Sequence, residues 1–396
     1  MSDSRLRGQL PVRNRVRGVF FVAPYPLSRI TGIGRFVRDL RQALQSEGIW
    51  SHVAYPAGDS TAEPPSDTGI SLRWQKFQSL ELGLKTVASV IRYRSRFQVL
   101  HAQQAHLQCF LAILVASVLG KPSVLTLHVW PPIAGGWLHK AAHGAIARLS
   151  LRFATRSVAV SPFVRDVSES SRFGIIENGV DTDFFQYSPG GRVTIRANLG
   201  LGDDTVFVFA GRWTTSKGLD VLLKAAESDE LGRRRFKLML LGEPTPDEPG
   251  FIERSTRNIP HLSSVVRVGP VFDNLAEYLS AGDVFVAPSR YEGMPLAVLE
   301  AMAVGLPVLA SDIPVHRLLV ERSGVGWIFP SGDPDGMAKA MAQIIDRGIP
   351  RQWAEQSRAA IIRHNNLRAM VSQYAAAYNE ILGVAQPGFP IARSST

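Results

Sequence analysis

The chain has 396 residues, 45% of them hydrophobic and 20% charged, and carries a formal net charge of +10. That length suggests two or three domains; the composition excludes a disordered or fibrous chain, and one cysteine, Cys109, excludes an intrachain disulfide and thiolate-built metal sites, fitting a reducing cytosol. The charge is lopsided, with 22 Lys and Arg against 12 Asp and Glu up to Phe185 and 22 of each beyond, which suits either a solvated basic surface or a face for anionic lipid, lipid diphosphate or nucleic acid.

In chain order, residues 1–16 read as a basic tail. The apolar run after it is too short for a signal peptide and meets "PYP" with no small-residue cleavage site, so "RGVFFVAP" (17–24) is a buried strand. A glycine loop, "TGIGRF", follows. "GRFVRDLRQALQSEG" then places Phe36, Val37, Leu40 and Leu44 on one helical face and stops at Gly48. "SHVAYPA" is a second strand. "WQKFQSLELGLKTVASVIRYRSRF" (74–97) is a basic amphipathic stretch with Lys76, Lys85, Arg92, Arg94 and Arg96. It is either a solvated surface helix or, with the charge asymmetry of its half, a contact with an anionic membrane. "QVLHAQ" and "PSVLTLHVW" are strands, separated by "FLAILVASVLG" (110–120), which is too short to span a bilayer and is expected to be a buried core helix. "SVAVSPFVRDV" is strand, turn and helix, and "FGIIENGVD" a strand.

A break at "QYSPGGRV" (186–193) suits a linker or a new domain. Strand and helix patterns then alternate again through "TVFVFAG", "GLDVLLKAAES", "FKLMLLGE", "SVVRVGPV", "LAEYLSAG", "VFVAPS", "PLAVLEAMAVG", "PVLAS" and "DPDGMAKAMAQIIDRG", the last capped by Asp333 or Asp335. The class is therefore α/β, as two doubly wound units that bind ligands at the carboxyl ends of their strands, in the cleft between them. We expect domains at 1–185 and 186–369, with a C-terminal helix in 370–396 packing back on the first domain before a tail.

Two places carry chemistry. In "FAGRWTTSKGLDVLLKAA", Gly211 and Arg212 follow a strand, and Lys217 precedes a helix opened by Gly218. Free N–H groups, a positive dipole end and two bases together suit a diphosphate; the alternative is an exposed loop with two bases. In "APSRYEGMPLAVLEAMAVG", Glu292 and Gly293 occupy a turn, Pro295 suits the first turn of a helix, and Glu300 lies in that helix as the only charge between Glu292 and Asp312. An acid in so apolar a segment needs a partner such as ligand hydroxyls.

"AGRWTTSKGLDVLLKA", "PSRYEGMPLAVLEAMAVGLPV" and "IENGVDTDFF" resemble three signatures of the retaining GT-B glycosyltransferases of family 4, also called glycosyl transferases group 1, over roughly Val19 to Leu382. The resemblance implies a GT-B fold of two facing Rossmann-like domains. It further implies transfer of a hexose from a UDP- or GDP-sugar to a glycan or lipid-linked acceptor, as in bacterial envelope polysaccharide or glycolipid assembly. Arg212 and Lys217 would neutralise the donor diphosphate. Glu292, with the N–H groups of Gly293, Met294, Pro295's neighbour Leu296 and the turn at Pro295 itself, would hold the donor sugar. Glu300 would take the ribose hydroxyls, Gly32 and Gly34 would let a loop approach the diphosphate, and His128 would contact the sugar. The base would lie near Val271, held mainly by backbone, while Asn178 and Gly179 form a turn at the domain junction.

Retention implies attack by the acceptor hydroxyl from the leaving-group side, with a diphosphate oxygen taking its proton. The two glutamates are then not the nucleophile and acid of a glycosidase. No metal or other cofactor is expected; "DTD" at Asp181–Asp183 reads as a turn, and His101, His106, His139 and His143 lack metal-ligand spacing. Trp130 and Trp137 either line the acceptor pocket or pack, the first being favoured. The sequence departs from the family at Thr31-Gly32-Ile33-Gly34, where two adjacent glycines are common, and at Pro314, His316 and Arg317. Competing readings are a soluble small-molecule acceptor such as an aminoglycoside, a sugar-nucleotide epimerase or hydrolase, and a nucleic-acid binder. The location expected is cytoplasmic, with contact to the inner face of the cell membrane.

Overall fold

The computed structural model describes residues 16–25, 27, 32–57, 67–71, 78–129, 137–167, 173–232, 234–244, 248, 250–251, 264–271 and 273–383. They form two compact units: one holds the chain up to Glu177 and again from Arg368, the other Asn178–Leu367.

The first unit is built on a seven-stranded sheet of β1 (Gly18–Val22), β2 (Trp50–Pro56), β3 (Thr68–Ile70), β4 (Val99–Gln103), β5 (Ser123–Leu127), β6 (Arg156–Ala159) and β7 (Phe173–Ile175). Their order is β3-β2-β1-β4-β5-β6-β7, every pair parallel. "GVFFV", "VLHAQ" and "SVLTL" are buried along their whole length, as parallel strands covered on both faces must be. The order reverses between β1 and β4, which fixes a switch point at their carboxyl ends.

Helix Gly32–Ser46 buries Phe36, Val37, Leu40 and Leu44. The loop expected at Gly32 and Gly34 is instead the first turn of this helix, so the two glycines open a helix rather than precede one. Helix Leu107–Val118 is only partly the core helix expected. Cys109, Ala112, Ile113 and Ala116 are buried, while Val118 is 81% exposed. Helix Leu367–Ile381 packs within this unit through Tyr374 and Tyr378, both fully buried. The Tyr378 hydroxyl lies 2.7 Å from His101 Nδ1, and Thr126 Oγ1 bridges His101 Nε2 at 2.8 Å and the Tyr374 hydroxyl at 3.1 Å. These polar groups satisfy one another away from water.

The second unit holds β8 (Thr205–Ala210), β9 (Phe236–Leu241), β10 (Val265–Arg267), β11 (Val284–Ala287), β12 (Val308–Ser311) and β13 (Trp327–Phe329), all parallel, in the order β10-β9-β8-β11-β12-β13. Counted from β8 this is the 3-2-1-4-5-6 order of a doubly wound sheet. Phe207, Leu238, Leu240, Val284, Val286 and Leu309 form its core with Leu222 and Met341 from the helices. The break expected at 186–193 is a helix start. Pro189 begins helix Pro189–Asn198, and Ser188 caps it by accepting from Gly191 N at 3.1 Å, worth about 1 kcal/mol. The turn formers there punctuate a helix entry, not a linker. Asp333 caps helix Pro334–Arg347. "DTD" is a turn in which Asp181 Oδ1 accepts from the N–H groups of Asp183 and Phe184 at 2.9 and 3.1 Å. Among the described residues no helix is long and apolar enough to cross a membrane.

Candidate active site

Each unit carries its own set of candidate residues. In the second unit they gather where β8 and β11 lie side by side, the switch point of the sheet. β8 ends at Ala210 and leads through Gly211, Arg212 and Trp213 to a 3-10 turn, Thr215–Lys217. Gly218 closes the turn in a left-handed conformation, φ 69°, and a Cβ there would stand 1.9 Å from the Pro288 carbonyl oxygen. Only glycine lets this loop lie against the one that leaves β11.

That second loop brings Glu292 to Lys217. Lys217 Nζ donates to Glu292 Oε1 at 2.5 Å, and Ser289 Oγ donates to the same oxygen at 2.8 Å. Burial works to raise the Glu292 carboxyl, but the adjacent ammonium and its hydrogen bond outweigh it and hold the group below its ordinary value. Arg212 is half-buried and makes no ion pair among the described residues. Arg290 ties the two loops together. Its N–H donates to Ser216 O at 3.0 Å, its guanidinium reaches the Thr215 carbonyl, and it grips Asp220 at 2.8 and 2.7 Å.

Gly293, Met294, Pro295 and Leu296 are buried at the entry to helix Leu296–Val304, which has no side-chain cap. Its ladder begins with Leu299 N donating to Pro295 O, so the N–H groups before it have no carbonyl of their own helix to meet. The Met294 carbonyl is held by Asn178 Nδ2 at 2.8 Å, and the Asn178 carbonyl by Asn365 Nδ2 at 2.9 Å. Glu300 sits in the helix, 2% exposed. Val271 is half-buried in the loop after β10, two strands away from β8.

His316, fully buried at the start of helix Pro314–Ser323, accounts for the unusual "SDIPVHRLLV". Its Nδ1 lies 3.1 Å from Ser311 O and 3.2 Å from Ser311 Oγ, and that hydroxyl donates to Ser289 O at 2.5 Å. The carbonyl can only accept, so Nδ1 carries the proton, and Nε2 has no partner among the described residues. Burial pushes this imidazole down to about 4, against the opposing pull of Glu292.

In the first unit, His128 stands just past the end of β5, beside the switch point of its own sheet. Its Nε2 is 2.9 Å from Gln103 Oε1, and its ring meets that of Phe36 edge-on at 4.8 Å. Burial lowers it to about 3, so it is neutral at ordinary pH and suited to hydrogen bonding rather than proton donation. Gln104 holds it in place. Its Oε1 accepts from His128 N at 2.9 Å and Val129 N at 3.3 Å, while its Nε2 donates to Val129 O at 2.5 Å. Gln104 is the one described non-glycine residue with positive φ, 70°, and such strain persists only where surrounding bonds enforce it. Gly32 and Gly34 open the helix that carries Phe36. Trp137 begins helix Trp137–Phe153 and is 76% exposed, and Trp130 lies outside the described residues.

Sequence reasoning missed Ser289, Arg290, Gln103 and Gln104 and left His316 without a role. A signal was present in "LHAQQ", where two adjacent glutamines stand at the end of a strand. Among the described residues no three His, Cys, Asp or Glu side chains stand together as a metal site.

Residues 30–184 match the model of the Glycosyltransferase Family 4 domain, and residues 204–347 that of the Glycosyl transferases group 1 domain. D-inositol 3-phosphate glycosyltransferase of Geodermatophilus obscurus is 30% identical over 227 residues, which cover 54% of this chain and 50% of that protein. The chain thus spans about half the length of the curated relatives it matches. Among solved structures, sucrose-phosphate synthase from Thermosynechococcus elongatus superposes with a TM-score of 0.78 at 20% identity, covering 93% of this chain and 99% of that one. HepE of Anabaena, solved in complex with UDP-glucose, does so with a TM-score of 0.74 at 17% identity over 92% and 99%. The two domain matches, the shared fold and the strand-end motifs agree: the chain belongs to the family 4, group 1 glycosyltransferases and has the GT-B fold.

Proposed function

We propose that the chain transfers a hexose, with retention of configuration, from a nucleotide-diphosphate sugar to a glycan or lipid-linked acceptor in envelope polysaccharide or glycolipid assembly. The observation that carries this reading is the meeting of Lys217, Glu292 and the unladdered N–H groups of a helix start at one switch point. A diphosphate suits Lys217, Arg212 and the helix start. As it binds, it competes with Glu292 for the Lys217 ammonium and leaves that carboxylate to accept from sugar hydroxyls. Glu300, buried in the following helix, is assigned to the ribose hydroxyls.

The step itself exchanges one bond for another. The acceptor oxygen bonds to the anomeric carbon as the bond from that carbon to the diphosphate oxygen breaks. The acceptor proton passes to the departing diphosphate, and Arg212 and Lys217 stabilise the charge that develops there. Two cations at the leaving group make a required metal unnecessary. His128, neutral and donating its Nε2–H to Gln103 Oε1, is left with Nδ1 to accept from a sugar hydroxyl without titrating. HepE was solved with UDP-glucose, which supports a UDP-sugar as the first donor to try. The basic first half supports an anionic membrane partner and a cytoplasmic place on the inner face of the membrane.

A thermal-shift screen of UDP-, GDP- and ADP-sugars tests the donor site, followed by product analysis with the stabilising sugar. Stabilisation by none of them removes the donor assignment. Turnover of the donor without any acceptor points to an epimerase or hydrolase instead, and transfer to a soluble acceptor alone removes the lipid-linked one.

A further inference from the structure

Three helices of the first unit, Gln78–Arg92, Leu107–Val118 and Trp137–Phe153, connect β3 to β4, β4 to β5 and β5 to β6. All three connections step the same way along the sheet, so right-handed crossovers place the helices on one face. They pack side by side. A Cβ on Gly83 would meet the Leu111 side chain at 2.7 Å, and the rings of Phe110 and Phe153 are 6.2 Å apart. These helices are unusual for a protein in water. Leu84, Ile91, Val118, Trp137, Leu149 and Phe153 on them are all exposed, Leu84 at 53%. Large apolar side chains exposed on three neighbouring helices point to an interaction surface.

The charge on the same helices has one sign. Leu107–Val118 has no charged residue and Trp137–Phe153 has no acid, whereas it carries Lys140, Arg148 and Arg152. The single acid of Gln78–Arg92, Glu81, is buried and paired with Lys85 at 2.5 Å. Arg92, Arg94 and Arg96 follow it, exposed. A second copy of the chain would set this cationic face against itself. A nucleic acid would meet the bases but leave Leu84 and Val118 in water. A bilayer with anionic headgroups meets both: phosphates at the bases, and the acyl boundary at Leu, Val, Phe and Trp.

We infer that this three-helix face of the first unit docks on an anionic lipid surface. The inference deepens the membrane partner proposed above, which the sequence located only in Trp74–Phe97, and is read by binding alone. The experiment is co-sedimentation of the full chain with vesicles of phosphatidylcholine, and of phosphatidylcholine with phosphatidylglycerol at 7:3, at low salt and at 0.5 M salt. Binding is expected to the mixed vesicles only and to fall at least tenfold at high salt. Leu84→Glu, Val118→Glu and the pair Arg148→Glu with Arg152→Glu should each lower the partition about tenfold or more, whereas Ile362→Glu, exposed in the second unit, should not. Equal binding to both vesicle types, or wild-type partition in Leu84→Glu and Val118→Glu, overturns the inference. The donor thermal shift is measured on the same variants: vesicle binding without a donor shift sinks the transfer reading alone, and a donor shift without vesicle binding sinks this one alone.

Discussion

Lys217 and Glu292 are 75 residues apart in the chain and share a 2.5 Å hydrogen bond. The cation and the acid that the family resemblance assigns to diphosphate and sugar therefore neutralise each other in this structure. Lys217→Ala should lower transfer by about 10²–10³-fold, as removal of a preorganised charge at a leaving group does. A double-mutant cycle with Glu292→Ala should give a coupling of about 1–3 kcal/mol in donor-free urea unfolding. Additive effects in that cycle contradict the pairing.

The approach of the two loops predicts a contrast between glycines. Gly218→Ala meets both a left-handed φ and the Pro288 carbonyl oxygen, whereas Gly200→Ala has φ 63° with nothing within 4 Å. Gly200→Ala should cost about 1–2 kcal/mol from conformation alone. Gly218→Ala should cost clearly more and also weaken donor binding by moving Lys217. Equal losses in urea unfolding would mean that the close approach carries no weight.

His316 sets an acid limit. Its folded value, about 4, lies below the ordinary 6.5, so as pH falls through that window the unfolded chain takes a proton that the folded one refuses. Stability present above pH 6.5 is lost toward pH 4, by at most about 1.4 kcal/mol per pH unit for this group. Glu292, held below its ordinary 4.5, adds a second loss as pH falls below 4.5 through its folded value. Urea unfolding from pH 7 to 4.5 should show a shallower slope in His316→Gln than in the native chain; an unchanged slope refutes the assignment.

Gln104 should act through His128. Gln104→Ala removes three hydrogen bonds to residues 128 and 129 and should destabilise by about 1–3 kcal/mol, while Gln104→Gly relieves the positive φ and should recover part of that loss. With His128 displaced, kcat should fall more than the donor KM rises in both variants. A rise in KM alone, or equal stability of the two variants, would count against a positioning role.

The sheets were legible because parallel strands buried on both faces are written as continuous apolar runs, such as "VFFV" and "TVFVFA". The two candidate loops could be located because each follows such a run, with Lys217 seven residues after Ala210 and Glu292 five after Ala287. The glycine pair at 32 and 34 misled, since glycine is read as a loop former while a neighbouring amphipathic pattern can draw it into a helix. "SPGG" left two readings open, because Ser188 and Pro189 are as good at starting a helix as at making a linker, and here they start the first helix of the second unit. Gln104 and Arg290 were invisible for another reason. Their partners lie in other loops of the fold, and no local spacing records a bond from Arg290 to Asp220, 70 residues away.

The return of helix Leu367–Ile381 to the first unit bears on the order in which the chain matures during synthesis. His101 and Thr126 emerge early, but the hydroxyls that satisfy them belong to Tyr378 and Tyr374, which the ribosome delivers only after the whole second unit. The nascent first sheet therefore waits with an uncovered apolar and polar face, exposed to chaperones and to misassembly, while the second unit is made. A frameshift or early stop beyond residue 367 would leave the second unit intact and the first one unfinished.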